Sequence, residues 1–254
     1  MKAELIRFVC DEVQNSKDGN FFREPLVRFA SAVDPLFSRL PEVVGKHHIQ
    51  PHDLLPGARM VMAFFIPFAS FIVSANRGPG PVAQEWAEAY LKTNAFINSA
   101  CGNVIDFLIK KGIEARTVPA THTYDPETLL ASWSHRSVGF IAGLGRFGLN
   151  RMLITPKGCA GRYGSLVFDA DVTPDERSDE ELCIGLKTGK CRYCFDACPV
   201  GALKRGEVDR QKCNRQLLKN SERFTELGLC DVCGKCAVGP CAILDAIKDK
   251  TASP

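Results

Sequence analysis

Cys191-Arg192-Tyr193-Cys194-Phe195-Asp196-Ala197-Cys198-Pro199 is the stretch that organises this chain. Its spacing is C-x2-C-x3-C-P, the latter part of the C-x2-C-x2-C-x3-C-P run that holds cubane iron-sulfur clusters. A cubane offers one thiolate position per iron. Two close cysteines on a tight turn therefore take adjacent corners, while a cysteine followed by proline leaves the loop and opens a helix. In that run the last cysteine serves the other cluster, so the motif predicts a second one.

The partner motif follows. Cys230-Asp-Val-Cys233-Gly-Lys-Cys236-Ala-Val-Gly-Pro-Cys241 repeats the pattern, with a lone Cys213 between the copies. Aligning Cys191, Cys194 and Cys198 with Cys233, Cys236 and Cys241 shows an internal duplication, the second copy one residue longer and with its proline ahead of the last cysteine. Two [4Fe-4S] clusters take eight thiolates, and the chain from Cys183 onward supplies nine. The usual first ligand would sit at Thr188, so Cys183 is the nearest upstream thiol. The repeat favours Cys183, Cys191, Cys194 and Cys241 for one cluster and Cys198, Cys213, Cys233 and Cys236 for the other, with Cys230 left over. A competing set uses Cys230 and Cys233 beside Cys198 and Cys213, and gives Cys236 or Cys241 to the first cluster; spacing alone does not decide between them.

Disulfides would need an export signal, and Lys2, Glu4 and Arg7 interrupt any apolar core in the N-terminal segment. Zinc sites show two separated C-x2-C pairs, whereas the C-P step and the lone Cys213 suit cubane ligation. Cys10 and Cys101 sit in apolar helical patterns and read as small core residues.

The 254 residues, 45% hydrophobic and 24% charged, describe an ordinary globular protein with room for one large domain and one small one. The apolar run Met60–Val73 is too short to span a bilayer and contains Pro67, so it reads as a buried strand and its sequel, and the expected location is cytoplasmic, with no membrane partner. Net charge is +3, yet the segment from Cys183 to the end carries thirteen Lys/Arg against eight Asp/Glu. Cations around anionic clusters explain this excess without nucleic acid, for which no aromatic-interleaved pattern is present. His47, His48 and His52 lie in a proline-marked stretch and read as solvated loop residues rather than ligands.

Before the cysteines, Leu5, Phe8, Val9 and Val13 mark a packing helix, and Pro81–Gly112 gives the longest helical pattern. Ile113–Val118 reads as a strand. Asp125-Pro126-Glu127 should cap a helix running toward His135. Thr173–Glu181, acidic and proline-marked, is the expected linker. These elements suggest a mixed α/β layered domain over residues 1–175, which would bind cofactor and substrate, and a small ferredoxin-like 2[4Fe-4S] domain over 183–254.

His135-Arg-Ser-Val-Gly-Phe-Ile-Ala-Gly143-Leu144-Gly145-Arg-Phe-Gly148-Leu149-Asn150 formally contains G-x-G-x-x-G. A dinucleotide fingerprint opens a long helix, but Arg151–Thr155 reads as a strand stopped by Pro156, so no nicotinamide cofactor is expected. The glycines imply close backbone approach, either to a flat cofactor or to another segment.

This loop, with His-Arg before it, Arg-Met-Leu-Ile-Thr-Pro and Gly164-Ser165 after it, and the cysteine module beyond, resembles epoxyqueuosine reductase and the wider group of cobalamin-dependent iron-sulfur reductases that includes reductive dehalogenases. The resemblance runs from about His135 to Cys241 and is looser before that. It implies an α+β architecture with a nitroreductase-like α/β/α layered core, electrons passing from a donor such as ferredoxin or flavodoxin through two [4Fe-4S] clusters to cobalamin, and reduction of a small molecule or modified nucleoside. By resemblance Gly143, Leu144, Gly145, Gly148, Asn150, Gly164 and Ser165 would bind the cofactor. Asp125, in Thr121-His-Thr-Tyr-Asp125-Pro-Glu127, stands nearest the family's catalytic aspartate, with a shift. Leu149 replaces the usual lysine, and no helical-repeat tail follows Cys241, which argues against transfer RNA as substrate. The different-class alternative is a non-catalytic electron carrier or docking protein.

Overall fold

The computed structural model describes residues 1–120, 124–228 and 230–245. Helix α1 (Lys2–Gln14) leads to strand β1 (Leu26–Ser31), three one-turn helices α2 (Pro35–Ser38), α3 (Leu40–Val43) and α4 (Pro51–Leu54), and strand β2 (Met60–Pro67). Then come α5 (Ser70–Ala75), the 26-residue α6 (Gln84–Ile109), β3 (Ala115–Thr117), α7 (His135–Ile141), the two-residue strands β4 (Arg146–Phe147) and β5 (Leu153–Ile154), and β6 (Gly161–Phe168). The cysteine segment adds α8 (Ile184–Thr188), α9 (Tyr193–Asp196), β7 (Leu203–Lys204), β8 (Glu207–Val208) and α10 (Arg210–Ser221).

The main sheet has the order β1-β2-β6-β3 and is antiparallel throughout. All eight residues of β2 are buried, because both faces of the sheet are covered. Met60, Met62, Phe64 and Ile66 face one apolar cluster with Leu5, Val9 and Val13 of α1 and Ile97, Cys101 and Val104 of α6. Val61, Ala63 and Phe65 face the other, with Phe37, Leu40, Trp133, Val138 and Ile141. A strand covered on both faces reads as one continuous apolar run, which is how Met60–Pro67 looked in the sequence. The fold is mixed helix and sheet, α+β.

The cysteine segment has little core of its own. Phe224, Val232, Ala237, Val238 and Ala242 belong to the same apolar cluster as Leu5 and Trp86. A segment this poor in apolar volume relies on docking against the body for its stability.

Three expectations need correction. The helix expected from Asp125 toward His135 is a turn: the Asp125 carboxylate accepts from the backbone N–H of Glu127 and Thr128 and from the Thr128 hydroxyl, and Leu129 then adopts φ 56°, which a helix does not continue. The helix starts instead at His135, where the Ser134 hydroxyl caps it by accepting from Ser137 N–H. Nor is His48 solvated. It is 4% exposed, stacks on Trp133, donates from Nδ1 to Ile49 O and accepts at Nε2 from Ser134 N–H. Asp175, within the expected linker, is instead tied into the body: it accepts from Phe29 N–H and pairs with Lys2. The helical pattern Ala242–Lys248 and the Thr121–Thr123 stretch lie at least partly outside the described residues.

Candidate metal centre

All twelve cysteines are free. Cys183, Cys191, Cys194 and Cys241 line one cavity with Leu149, Asn150 and Tyr193. Burial first, then the charges of Cys241, Cys183 and Cys191, push the Cys194 thiol up to about 11. The second group forms around Cys236, which also borders the first cavity; burial, then Cys233, Cys213 and Cys198, push its thiol up to about 12. Thiols this costly to ionise become thiolates when a metal compensates the charge. Cys230 joins neither group. It is wholly buried against the Ala87 carbonyl on α6.

Local structure explains the placement. The α9 turn presents Cys194, and Cys198 Sγ accepts from the Ala202 N–H, 3.2 Å away, as the chain turns back. Cys213 rides on α10, whose start is capped by Asp209 accepting from Lys212 N–H at 2.8 Å. Asn76 Nδ2 donates to Cys233 O at 2.9 Å, Asn220 Nδ2 to Val232 O at 2.8 Å, and the buried Lys235 ammonium to Asn76 O at 3.0 Å. Among the described residues no three such side chains converge tightly enough to hold a single metal ion, whereas a cubane takes its thiolates one per iron around a core. Two groups of four thiols fit two such cores.

The glycine loop serves this centre in a different way from that expected. A Cβ at Gly145 would overlap the Ile154 carbonyl oxygen, and one at Gly164 would overlap the Phe64 ring, so both glycines are occupied by contacts within the protein. Leu144 is in the apolar core and Ser165 is fully buried, where its Oγ accepts from Trp133 Nε1 and bonds His135 Nδ1. The loop leads into the β4–β5 hairpin rather than a helix. What it delivers is Asn150, 5% exposed, whose Nδ2 donates to Cys236 O at 3.1 Å and lies 3.7 and 3.9 Å from the sulfurs of Cys159 and Cys241.

Asp125 is half-buried and caps its own turn; hydrogen bonds from Thr128, backbone before side chain, hold its carboxyl below the usual range. Gln211 of α10 donates to the neighbouring Glu127 O, so this turn abuts the second cysteine group's helix. Three features here escaped the sequence. Cys159 lies 3.8 Å from Cys241, sulfur to sulfur, across 82 residues, a distance at which no motif operates. Arg136, at the start of α7, reaches across to the hairpin, donating to Arg151 O at 3.2 Å and to Met152 Sδ at 3.4 Å. Arg162 joins it, stacked 4.5 Å over Tyr90 and donating to Asn94 Oδ1.

No protein-family model matches the chain. Epoxyqueuosine reductase of Bacillus subtilis (strain 168) is 27% identical over 172 residues, which cover 65% of this chain and 41% of that protein. A crystal structure of epoxyqueuosine reductase with a tRNA-Tyr epoxyqueuosine-modified stem loop superposes with a TM-score of 0.60 at 22% identity, over 95% of this chain and 65% of that one. The chain is similar to the epoxyqueuosine reductases. It spans 41% of the length of the curated epoxyqueuosine reductase it matches. A reductive dehalogenase structure, described as suggesting a mechanism for B12-dependent dehalogenation, shares the fold less closely, with a TM-score of 0.53 at 14% identity over 89% of this chain and 34% of that one.

Proposed function

We propose that the chain is an iron-sulfur reductase of epoxyqueuosine-reductase type, holding one [4Fe-4S] cluster on Cys183, Cys191, Cys194 and Cys241 and a second on Cys198, Cys213, Cys233 and Cys236. The observation that carries this is the sorting of eight thiols into two groups of four, with Cys230 set apart against α6. The likeness to enzymes named epoxyqueuosine reductase supports the catalytic reading over a mere carrier.

Cobalamin is the acceptor we propose, on the strength of the B12-dependent dehalogenase neighbour, seated away from Gly145. A Cβ at Gly145 would meet the Ile154 carbonyl, so the close approach at that glycine is to the protein itself. Bound elsewhere, cobalamin would supply redox chemistry that no side chain offers. Arg136 and Arg162, each near the other electrostatically, are the cations that would neutralise an anionic portion of a substrate. Nucleic acid, first set aside as a partner, returns as a candidate, because a neighbouring structure holds a modified transfer RNA stem loop. A modified nucleoside, free or within RNA, is the substrate class proposed.

Anaerobic reconstitution followed by iron analysis and titration with cobalamin tests the reading. About eight irons per chain and a saturable change in the corrin absorption bands are expected. Fewer than half those irons would overturn the two-cluster proposal. Intact, reducible clusters without corrin binding would leave the electron-carrier reading in its place.

A further inference from the structure

Leu149, Gly185 and Cys191 line the cavity of the first cysteine group and also a second, outer pocket of about 350 Å³. Cys191 thus forms part of a thin wall between a proposed cluster and the surface. Arg192, Phe195, Lys204 and Arg205 line the outer side. Lys187 and Lys190, on α8 and just after it, add two more exposed cations, and exposed Ile184 and Leu186 place apolar surface on the same helix.

The carboxylates nearby are fewer. Asp196 lies 3.8 Å from Arg192, and Glu207 stands across the β7–β8 ladder from Lys204. That hairpin is anchored to the α/β body by Arg151, which donates to Gly206 O. Five cations against two carboxylates could serve to offset the negative clusters, but such a role favours buried charges turned inward, as with Lys235. Lys187, Lys190, Arg192, Lys204 and Arg205 are all exposed, where salt screens them from the interior and leaves them available to a partner.

We infer that this face is the electron entry, a docking surface for an acidic one-electron carrier protein; the inference rests on the two-cluster reading. An apolar centre within a charged rim is the anatomy of a protein interface, and complementary charge raises encounter rates at low salt. RNA would favour exposed stacking aromatics, whereas Phe195 is half-buried. In the step itself the reduced carrier loses one electron and the cluster at Cys191 gains it, with no bond made or broken. The second cysteine group also meets the α/β body, where Asn150 donates to Cys236 O at 3.1 Å and Gln211 reaches Glu127 O, so electrons entering at Cys191 have a path onward into the protein.

The test uses the reconstituted full chain and its Lys204→Glu/Arg205→Glu variant in stopped flow, with a reduced acidic ferredoxin or flavodoxin as donor and a reduced viologen as control. At low salt the variant should accept electrons from the carrier ~tenfold or more slowly, and the wild-type rate should fall with added salt toward that of the variant. Viologen should reduce both proteins without slowing. Equal carrier rates in the two proteins would overturn the inference, as would lost binding of an RNA stem loop with carrier rates unchanged. A wild type that viologen cannot reduce would defeat the cluster reading itself, and the inference with it.

Discussion

Cys159 Sγ, wholly buried, lies 3.8 Å from Sγ of the half-buried Cys241, with Asn150 Nδ2 beside both sulfurs. The hydrogen bond from Cys159 lowers the Cys241 thiol, and the same bond, reinforced by burial, raises Cys159 far above its ordinary value. With Cys241 proposed as a cluster ligand, its sulfur would accept and Cys159 would be the donor. Hydrogen bonds to cluster sulfurs are among the factors that set reduction potential.

Cys159→Ala should keep about eight irons per chain and shift the midpoint potential of one cluster to a more negative value, since the donor that stabilises the reduced, more negative state is gone. Potentiometric titration followed by electron paramagnetic resonance measures it. Loss of half the iron from Cys159→Ala, with Cys241→Ala harmless, would make Cys159 the ligand.

Cys213→Ala should cost one cluster and leave about four irons per chain, whereas Cys230→Ala keeps both clusters and costs only about 1 kcal/mol of packing against α6. Iron content and anaerobic thermal melts separate the two variants. The reverse pattern would support the competing ligand set that includes Cys230.

Asn150→Ala removes the donor to Cys236 O and leaves that buried carbonyl short of a partner, for which about 1–3 kcal/mol is expected. The clusters should surrender iron to a chelator faster than in the wild type. Unchanged chelation kinetics would reduce Asn150 to a turn residue, since its Oδ1 also accepts from Met152 N–H.

His48 carries a pH dependence. Burial lowers its pKa, only partly opposed by the hydrogen bond to Ile49 O, and protonation of Nε2 would cancel the bond it accepts from Ser134 N–H. The unfolded chain then binds more protons than the folded one below the unfolded histidine pKa of about 6.5, so stability rises with pH through that region and falls as pH drops below it. Melting temperatures of the holoprotein at about pH 7.5 and about pH 6 should differ more for the wild type than for His48→Gln. Equal differences would exclude His48 as the source.

The boundaries of what was legible follow from how each signal arises. Met60–Pro67 declared itself a strand because eight consecutive residues are buried by local identity, and Pro81–Gly112 declared a helix by its period and its terminal glycine at φ 76°. Asp125 misled because the same aspartate-proline pair caps a turn as well as a helix; Leu129 at φ 56° decides between them, and no residue-type rule anticipates a leucine there. The glycine loop was read correctly as a place of close approach, but whether a cofactor or Ile154 does the approaching depends on a hairpin formed only in the folded chain.

By itself the sequence determined that thiols at ligand spacing come in two copies, because adjacent cluster corners are reached by residues two or three apart on one turn. It also determined the buried strand and the long helix, whose signals are periodic and local. Only the tertiary structure decided that Cys230 sits apart against α6, that Cys159 touches Cys241, and that Arg192, Lys204 and Arg205 gather outside Cys191. Those relations join residues far apart along the chain through packing against β6 and α6, and sequence spacing carries no record of which distant backbone a loop is folded against.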